Sequence, residues 1–319
     1  MNRQHIPVAL DRCIDLLSPA IEFSLKNHSS TYVIDATLGL GGHARALLAK
    51  FPTLIVIGID RDEQAIAIAR KSVAPFERRL FISHTTYDEI ETVLDDHGVT
   101  KVAGILFDLG VSSMQLDDGE RGFAYSFDAP LDMRMDQSTG LTAFDVLQTY
   151  DHSALVRILR AYGEEKFAPR IADFIIDSRM AGKLNTTKDL ADLVKNAIPA
   201  SARRTGGNPA KRTFQALRIE VNQELSILER AIPAALSALE VHGRLVVMAY
   251  QSLEDKIVKA ALTKVTESKT PRGLPMDLPD SAAKYSLVMR GSESASDPEV
   301  LINPRAQSMR LRAVERVAA

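Results

Sequence analysis

The chain is poor in the features that mark several specialised protein classes. It holds one cysteine, Cys13, in 319 residues. It can therefore make no internal disulfide and no cysteine-based zinc site, and the reducing cytoplasm is the compartment expected for it. Its longest apolar runs, Leu54–Ile59 and Leu245–Tyr250, reach about a third of the 18 or more residues that a membrane-spanning helix requires. No membrane association is expected. The opening MNRQHIPVALDR is too polar for a secretory signal. The seven histidines (5, 28, 43, 84, 97, 152 and 242) form no pair at metal-ligand spacing on a helix, so no metal site is expected. No internal repeat is visible.

Charge of one sign is also missing. Lys and Arg number 39 against 41 Asp and Glu, for a net charge of −2. That excludes a blanket polyanion-binding coat but leaves room for a local phosphate-binding patch. Such a patch is present. Lys195, Arg203, Arg204, Lys211, Arg212 and Arg218 fall between residues 195 and 219 with no acid among them. The tail carries Arg305, Arg310, Arg312 and Arg316 against Glu315 alone. With 45% hydrophobic and 25% charged residues, the chain has ample material for a packed core of one large or two ordinary domains.

The first third alternates strand and helix. Tyr32–Ala36, Leu54–Asp60, Leu80–Ser83 and Val102–Asp108 read as strands, with helices over 43–50, 62–71 and 87–97 between them. Strands of continuous apolar character between helices predict a parallel sheet covered on both faces, an α/β doubly wound fold. After Asp108 the rhythm breaks into an aperiodic, structured loop over 110–136. Helical patterns follow at 153–162, 169–179 and 187–197. Phe214, Leu217, Val221, Leu225 and Leu228 then form one long helical stripe. Strand–helix–strand character returns at 244–250, 253–265 and 285–289. The simplest account is one sheet interrupted by a helical insertion of about a hundred residues.

In such sheets ligands bind outside the carboxyl ends of the strands, and three of the first four strands end at or beside an acid: Asp35, Asp60 and Asp108. The loop after the first reads Asp35-x-Thr37-x-Gly39-x-Gly41-Gly42-His43. Its glycines allow close backbone approach, and the helix behind it offers amides and a positive dipole end. Two cofactors compete for this loop. Gly39-x-Gly41-x-x-Ala44 with Asp60 about 20 residues on fits a dinucleotide fingerprint. Asp35, however, would sit beside the pyrophosphate, where two like charges about 5 Å apart cost roughly 3 kcal/mol at an effective dielectric of about 20. S-adenosylmethionine carries an ammonium and a sulfonium and no phosphate, so strand-end acids favour it. The structural alternatives are capping for Asp35 and Asp62, a surface position for His43 and a small core residue for Cys13. Asp108 ends a very apolar strand, and a carboxylate buried there needs a partner or a ligand. No cysteine lies near the strand ends, which disfavours the covalent route to pyrimidine C5 and leaves direct transfer to an exocyclic nitrogen or oxygen.

Over nearly its whole length the chain resembles the bacterial small-subunit ribosomal RNA methyltransferase H family, which methylates cytidine N4. The motifs are His5-Ile-Pro-Val, Asp35-Ala-Thr-Leu-Gly-Leu-Gly-Gly-His43, Ile59-Asp-Arg-Asp62 and Phe107-Asp-Leu-Gly-Val-Ser-Ser113. Gln115-Leu-Asp-Asp-Gly-Glu-Arg-Gly-Phe123, Pro130-Leu-Asp-Met-Arg-Met-Asp136, Tyr162-Gly-Glu-Glu165 and Arg212-Thr-Phe-Gln-Ala-Leu-Arg-Ile219 with Val221-Asn222 follow. Ser252-Leu-Glu-Asp255 and Asn303-Pro-Arg305 complete the set.

The resemblance implies a Rossmann-like class I methyltransferase domain over 1–115 and 214–319, with an all-helical domain inserted over 116–213 for RNA recognition. It implies S-adenosyl-L-methionine as methyl donor and a cytidine in the decoding region of 16S rRNA as target, within the small ribosomal subunit. Carried over by motif, Gly41, Gly42 and His43 should cradle the methionine part, Asp60 bind the ribose and Tyr87 stack near the adenine. Asp108 and Gln115 complete the donor site, with Asp35 just below them. Asp108 also stands where other amino-methyltransferases carry an Asp/Asn-Pro-Pro-aromatic motif, absent here, and is the candidate proton acceptor. Arg203, Arg204, Lys211 and Arg212 are the candidate RNA grip. The chain departs from the family's common pattern at Tyr250-Gln251, where Phe-His is usual, at Arg12 in place of Glu, and at Gln307 in place of Arg. A dinucleotide-dependent oxidoreductase and a non-catalytic RNA-binding module are the rival readings.

Overall fold

Apolar runs without polar alternation make strands that are buried on both faces, and the first half of the chain follows that rule. The computed structural model describes residues 7–202, 208–268, 270 and 281–319. The chain divides into two compact units, Met1–Gly110 with Leu225–Ala319, and Val111–Glu224.

The first unit opens with α1 (Leu10–Asn27) and proceeds β1 (Thr31–Asp35), α2 (Gly42–Lys50), β2 (Leu54–Asp60), α3 (Glu63–Ser72), β3 (Leu80–His84), α4 (Ile90–Asp96) and β4 (Val102–Asp108). Asp62 caps α3, its carboxylate accepting from the amides of Gln64 and Ala65, a device worth about 1 kcal/mol. β1 ends on Asp35, one residue before the expected Ala36.

The second unit is helical in its regular elements among the described residues: α5 (Ser113–Asp117), α6 (Ala143–Thr149), α7 (His152–Ala161), α8 (Ala168–Met180), α9 (Thr187–Ala197) and α10 (Lys211–Asn222). Its core gathers Leu155, Ile158, Ile171, Ile175, Leu190, Val194, Phe214 and Leu217. Ser112 with Gln115, Thr142 with Asp145 and Thr186 with Asp189 form capping boxes, each satisfying two otherwise orphaned amides.

The aperiodic loop between α5 and α6 is held by side chains as well as by scattered backbone bonds, such as that from the Met133 amide to the Arg121 carbonyl at 3.0 Å. Arg121 donates from Nη2 to the carbonyls of Arg134 (2.9 Å) and Met135 (3.0 Å). Asn222 accepts from the Met135 amide and donates to the Met133 carbonyl, both at 2.7 Å. Gly122 has φ +74, and a Cβ there would lie 2.4 Å from the Pro130 carbonyl oxygen. Arg121, Gly122 and Asn222 therefore carry structural weight within the motifs that contain them.

The long stripe expected from Phe214 to Leu228 is not one helix. Gln223 takes φ 51 and ends α10, and α11 (Glu224–Ala238) begins at once. Two interactions favour the break. The Asn222 side chain is committed to the loop, and Arg218 pairs with Glu224 at 2.7 and 2.9 Å. The stripe consequently serves two cores: Phe214 and Leu217 in the second unit, Leu228 in the first.

After α11 the first unit resumes with β5 (Leu239–Ala249), α12 (Ser252–Thr266), β6 (Tyr285–Leu287), α13 (Asp297–Ile302) and β7 (Arg310–Arg316). The seven strands lie in the order β3-β2-β1-β4-β5-β7-β6. The first five are parallel, and β7 runs antiparallel to both β5 and β6. Alternate residues serve opposite faces. Ile34, Ile57, Ile105 and Val247 pack with Val93, Leu228 and Val258, while Val33, Val56, Leu106 and Val246 pack with Leu17 and Leu47. This is a doubly wound, Rossmann-like α/β sheet. The arginine-rich tail, conspicuous in the sequence only for its charge, is the strand β7. Its Leu311, Ala313 and Val314 are buried, and Arg312 pairs with Asp255 at 2.7 and 3.1 Å.

Candidate functional site

Strand order brings three acids together. β2, β1 and β4 are neighbours, so Asp60, Asp35 and Asp108 end three adjacent strands on one edge of the sheet. The turn after β1 is fixed by backbone bonds from Ala36 to the Leu106 carbonyl, from Leu38 to that of Ile59 and from Gly41 to that of Leu38.

Asp60 ties two turns together. Its Oδ2 accepts from the Gly39 amide at 2.7 Å and its Oδ1 from the Asp62 amide at 2.9 Å. Burial raises its pKa, and these amides oppose the shift. Gly39 has φ +52, and a Cβ there would meet nothing closer than the Thr37 carbonyl at 3.8 Å, so the chain is open to approach at that point. Gly41 and Gly42 are glycine for a different reason. A Cβ on Gly41 (φ +78) would lie 2.8 Å from Val73 Cγ2, and one on Gly42 would lie 2.2 Å from Pro7 Cγ. Protein packing fills both places. The ring of His43 is buried, and its Nε2 is 3.1 Å from the Val8 carbonyl oxygen. What this glycine loop can offer a ligand is main chain, at the start of α2, where a helix presents amides without intrahelical acceptors.

Asp35 is 1% exposed, and no donor reaches either carboxylate oxygen with hydrogen-bond geometry. Burial, and next the charge of Asp108, push its pKa up to about 7; the nearby amides of Thr37 and Ala44 oppose the shift. Asp108 is held on two sides. Its amide donates to Thr37 Oγ1 at 2.7 Å, and its Oδ1 accepts from the Tyr250 hydroxyl at 2.7 Å. Burial, and then Asp108 itself, raise the Tyr250 pKa far above the ordinary phenol value, so the hydroxyl is a permanent donor at neutral pH.

In the sequence Tyr250 stands out only as a departure from the family pattern. Its place beside Asp108 follows from the pairing of β5 with β4. The Tyr250 and Gln251 amides both donate to Glu254 Oε2, which also forms the capping box of α12. The Ser252-Leu-Glu-Asp255 motif thus sets the strand-to-helix turn that aims Tyr250, and its Asp255 binds β7.

Tyr87 follows β3 in a short 3-10 turn, half-buried, with its ring edge-on to Phe107 at 5.4 Å between centroids. Gln115 belongs to the second unit, where it is buried in the capping box with Ser112 (3.0 and 3.2 Å). Lys211 and Arg212 are exposed at the start of α10, and Arg203 and Arg204 lie outside the described residues. The expectation that no cysteine lies near the strand ends does not hold. Cys13 of α1, fully buried and 3.6 Å from Met248 Sδ, is close enough to Asp108 and Asp35 to feel their charge, and burial first, then those acids, push its thiol well up. Among the described residues no group of three or more His, Cys, Asp and Glu could hold a metal ion, and no helix is long and apolar enough to cross a membrane.

Three carboxyl groups on one edge, one of them without a hydrogen-bond donor, beside an open glycine turn, make a place that favours a cation over a phosphate. Comparison with known proteins agrees with a methyltransferase. The protein from Pseudarthrobacter chlorophenolicus named ribosomal RNA small subunit methyltransferase H is 54% identical over 318 residues, covering 100% of this chain and 96% of that protein. Proteins of the same name from Salinispora tropica and Mycolicibacterium smegmatis are 55% and 56% identical, each over 98% of this chain and 84% of their own length. The pattern that describes the MraW methylase family matches residues 2–317. Alike in sequence from one end to the other, and carrying the strand-end acids its motifs place, the chain belongs to the MraW methylase family.

Proposed function

We propose that this chain methylates ribosomal RNA of the small subunit, transferring a methyl group from S-adenosyl-L-methionine to the N4 amine of a cytidine in the decoding region of 16S rRNA. Membership of the family and the name of its relatives support the rRNA substrate. The observation that carries the choice of donor is Asp35, a buried carboxyl group without a hydrogen-bond partner, at the end of β1 directly before the glycine loop. A pyrophosphate beside it would oppose its ionisation; a ligand with an ammonium and a sulfonium would favour the carboxylate and be held by it.

In this reading the backbone of Gly41, Gly42 and His43 holds the methionine part, Asp60 takes the ribose hydroxyls and Tyr87 borders the adenine. Bound there, the donor supplies an electrophilic methyl group on its sulfonium. Asp108 does the remaining work. The cytosine amine is a weak nucleophile because its lone pair is conjugated with the ring; a carboxylate that accepts its hydrogen bond and then its proton raises its reactivity. Tyr250 holds Asp108 Oδ1 in place for that task. The buried Cys13, with its raised pKa, supports direct transfer over a covalent thiolate route. Arg203, Arg204, Lys211 and Arg212 and the helical unit would grip the RNA, in the cytoplasm, within the assembling or assembled small subunit.

The test is methyl transfer from labelled S-adenosylmethionine to small subunits lacking the modification, with free 16S rRNA in parallel and nucleoside analysis afterwards. Label in N4-methylcytidine is the expected result. Label in another nucleoside would refute the acceptor, and absence of donor binding would refute the donor.

A further inference from the structure

Asp35 has an unusual setting for an aspartate. It is the last residue of β1, its main chain locked between β2 and β4, and its side chain cannot turn to solvent. The groups that act on it come from every neighbouring element. Asp60 at the end of β2 spends its oxygens on the Gly39 and Asp62 amides. Asp108 at the end of β4 is held by Tyr250, just past β5. Cys13 of α1 has a thiol raised in part by Asp108 and Asp35. The backbone amides of Thr37 and of Ala44 in α2 lie near, while the ring of His43 is turned to the Val8 carbonyl. The charged groups in this set are carboxylates, and none of them can neutralise Asp35.

We propose that Asp35 is a proton-exchanging counter-charge for the methyl donor: a neutral carboxylic acid in the donor-free protein that ionises, releasing its proton, when the cationic donor enters. The inference rests on the S-adenosylmethionine reading above. Two like-charged neighbours and loss of water favour the protonated acid, whereas an ammonium or sulfonium nearby favours the carboxylate. Donor and proton therefore compete. Donor affinity rises as pH rises toward 7, the region to which burial and Asp108 push the acid, and levels off above it. Tyr250 takes no part in the exchange, since its phenol stays protonated throughout.

The experiment is calorimetric titration of the whole protein with S-adenosylmethionine at pH 6.5, in two buffers of different ionisation enthalpy. More than half a proton released per donor is expected, with a Kd that tightens about fivefold from pH 6.0 to pH 7.0. Asp35→Asn should release none of it and bind with a weaker, pH-independent Kd. Infrared difference spectra of the unmodified protein give a check that needs no variant: adding donor should remove a protonated-carboxyl C=O band. Donor binding without proton release or band loss, or equal release by Asp35→Asn, overturns the inference and leaves the methyltransferase reading standing. A folded protein that binds no donor overturns that reading, and this inference with it.

Discussion

The hydroxyl of Tyr250 donates a 2.7 Å hydrogen bond to Oδ1 of Asp108, joining the ends of two adjacent parallel strands through residues 142 positions apart in the chain. It fixes one oxygen of the carboxylate to which we assign the substrate proton. A hydrogen bond to a charged group contributes about 1.5–3 kcal/mol. Tyr250→Phe keeps the ring and its packing and removes only the donor. Turnover should fall roughly tenfold or more by that measure, while the melting temperature stays within a few degrees. Unchanged kcat would show that Asp108 needs no such support.

Asp35 makes the stability of the donor-free protein depend on pH. Its folded pKa, about 7, lies above the ordinary aspartate value of 3.8. Between those values the folded state binds more protons than the unfolded one, so this group's effect on stability worsens as pH rises from about 4 to about 7, then stays constant. Asp35→Asn removes the penalty. Its gain in unfolding free energy over the native sequence should be larger at pH 8 than at pH 5, by about 2–3 kcal/mol. Denaturant melts at both pH values test this, and equal gains would contradict it.

Gly42→Ala places a methyl group 2.2 Å from Pro7 Cγ. The Pro7–Val8 segment, which also meets the His43 ring, must move aside, at a cost of about 1–3 kcal/mol. Gly39→Ala meets no side chain and bears only its left-handed backbone, about 1–2 kcal/mol. Proteolysis near residue 8 should therefore accelerate in the first variant and not in the second.

Asn222→Ala leaves the Met135 amide and the Met133 carbonyl without their side-chain partner in a buried setting. Two such losses cost about 2–5 kcal/mol. Lower resistance to denaturant is expected, together with rapid amide exchange at Met135. Preserved protection at that amide would show that the loop does not depend on Asn222.

Charge reversal at Lys211 and Arg212, both exposed on α10, should weaken binding to 16S rRNA and flatten its salt dependence. The log–log slope should drop by about one unit for each phosphate that is no longer neutralised. Binding with an unaltered slope would move the RNA grip elsewhere.

Much of the sheet is legible in the residue order. β2 and β4 have the expected limits, Leu54–Asp60 and Val102–Asp108, because strands covered on both faces need unbroken apolar runs and end where an acid reaches the sheet edge. β7 is not legible in that way. A strand that alternates arginine with leucine and alanine looks like a charged tail until Arg312 finds Asp255, 57 residues away. The break at Gln223 is hidden for a similar reason: helical periodicity runs straight through it, and only the loop partners of Asn222, 87 and 89 residues distant, take that side chain out of the pattern.

Local residue order by itself determined the parallel strands, the acids at their ends, the glycine turn and the family motifs, since each depends on neighbours within a few positions. Tertiary structure alone decided what those residues do for one another. It left Asp35 without a partner, gave Asp108 the Tyr250 hydroxyl, and filled the spaces at Gly41 and Gly42 with Val73 and Pro7. These outcomes depend on strand order and side-chain packing, which bring together groups that no short-range pattern relates.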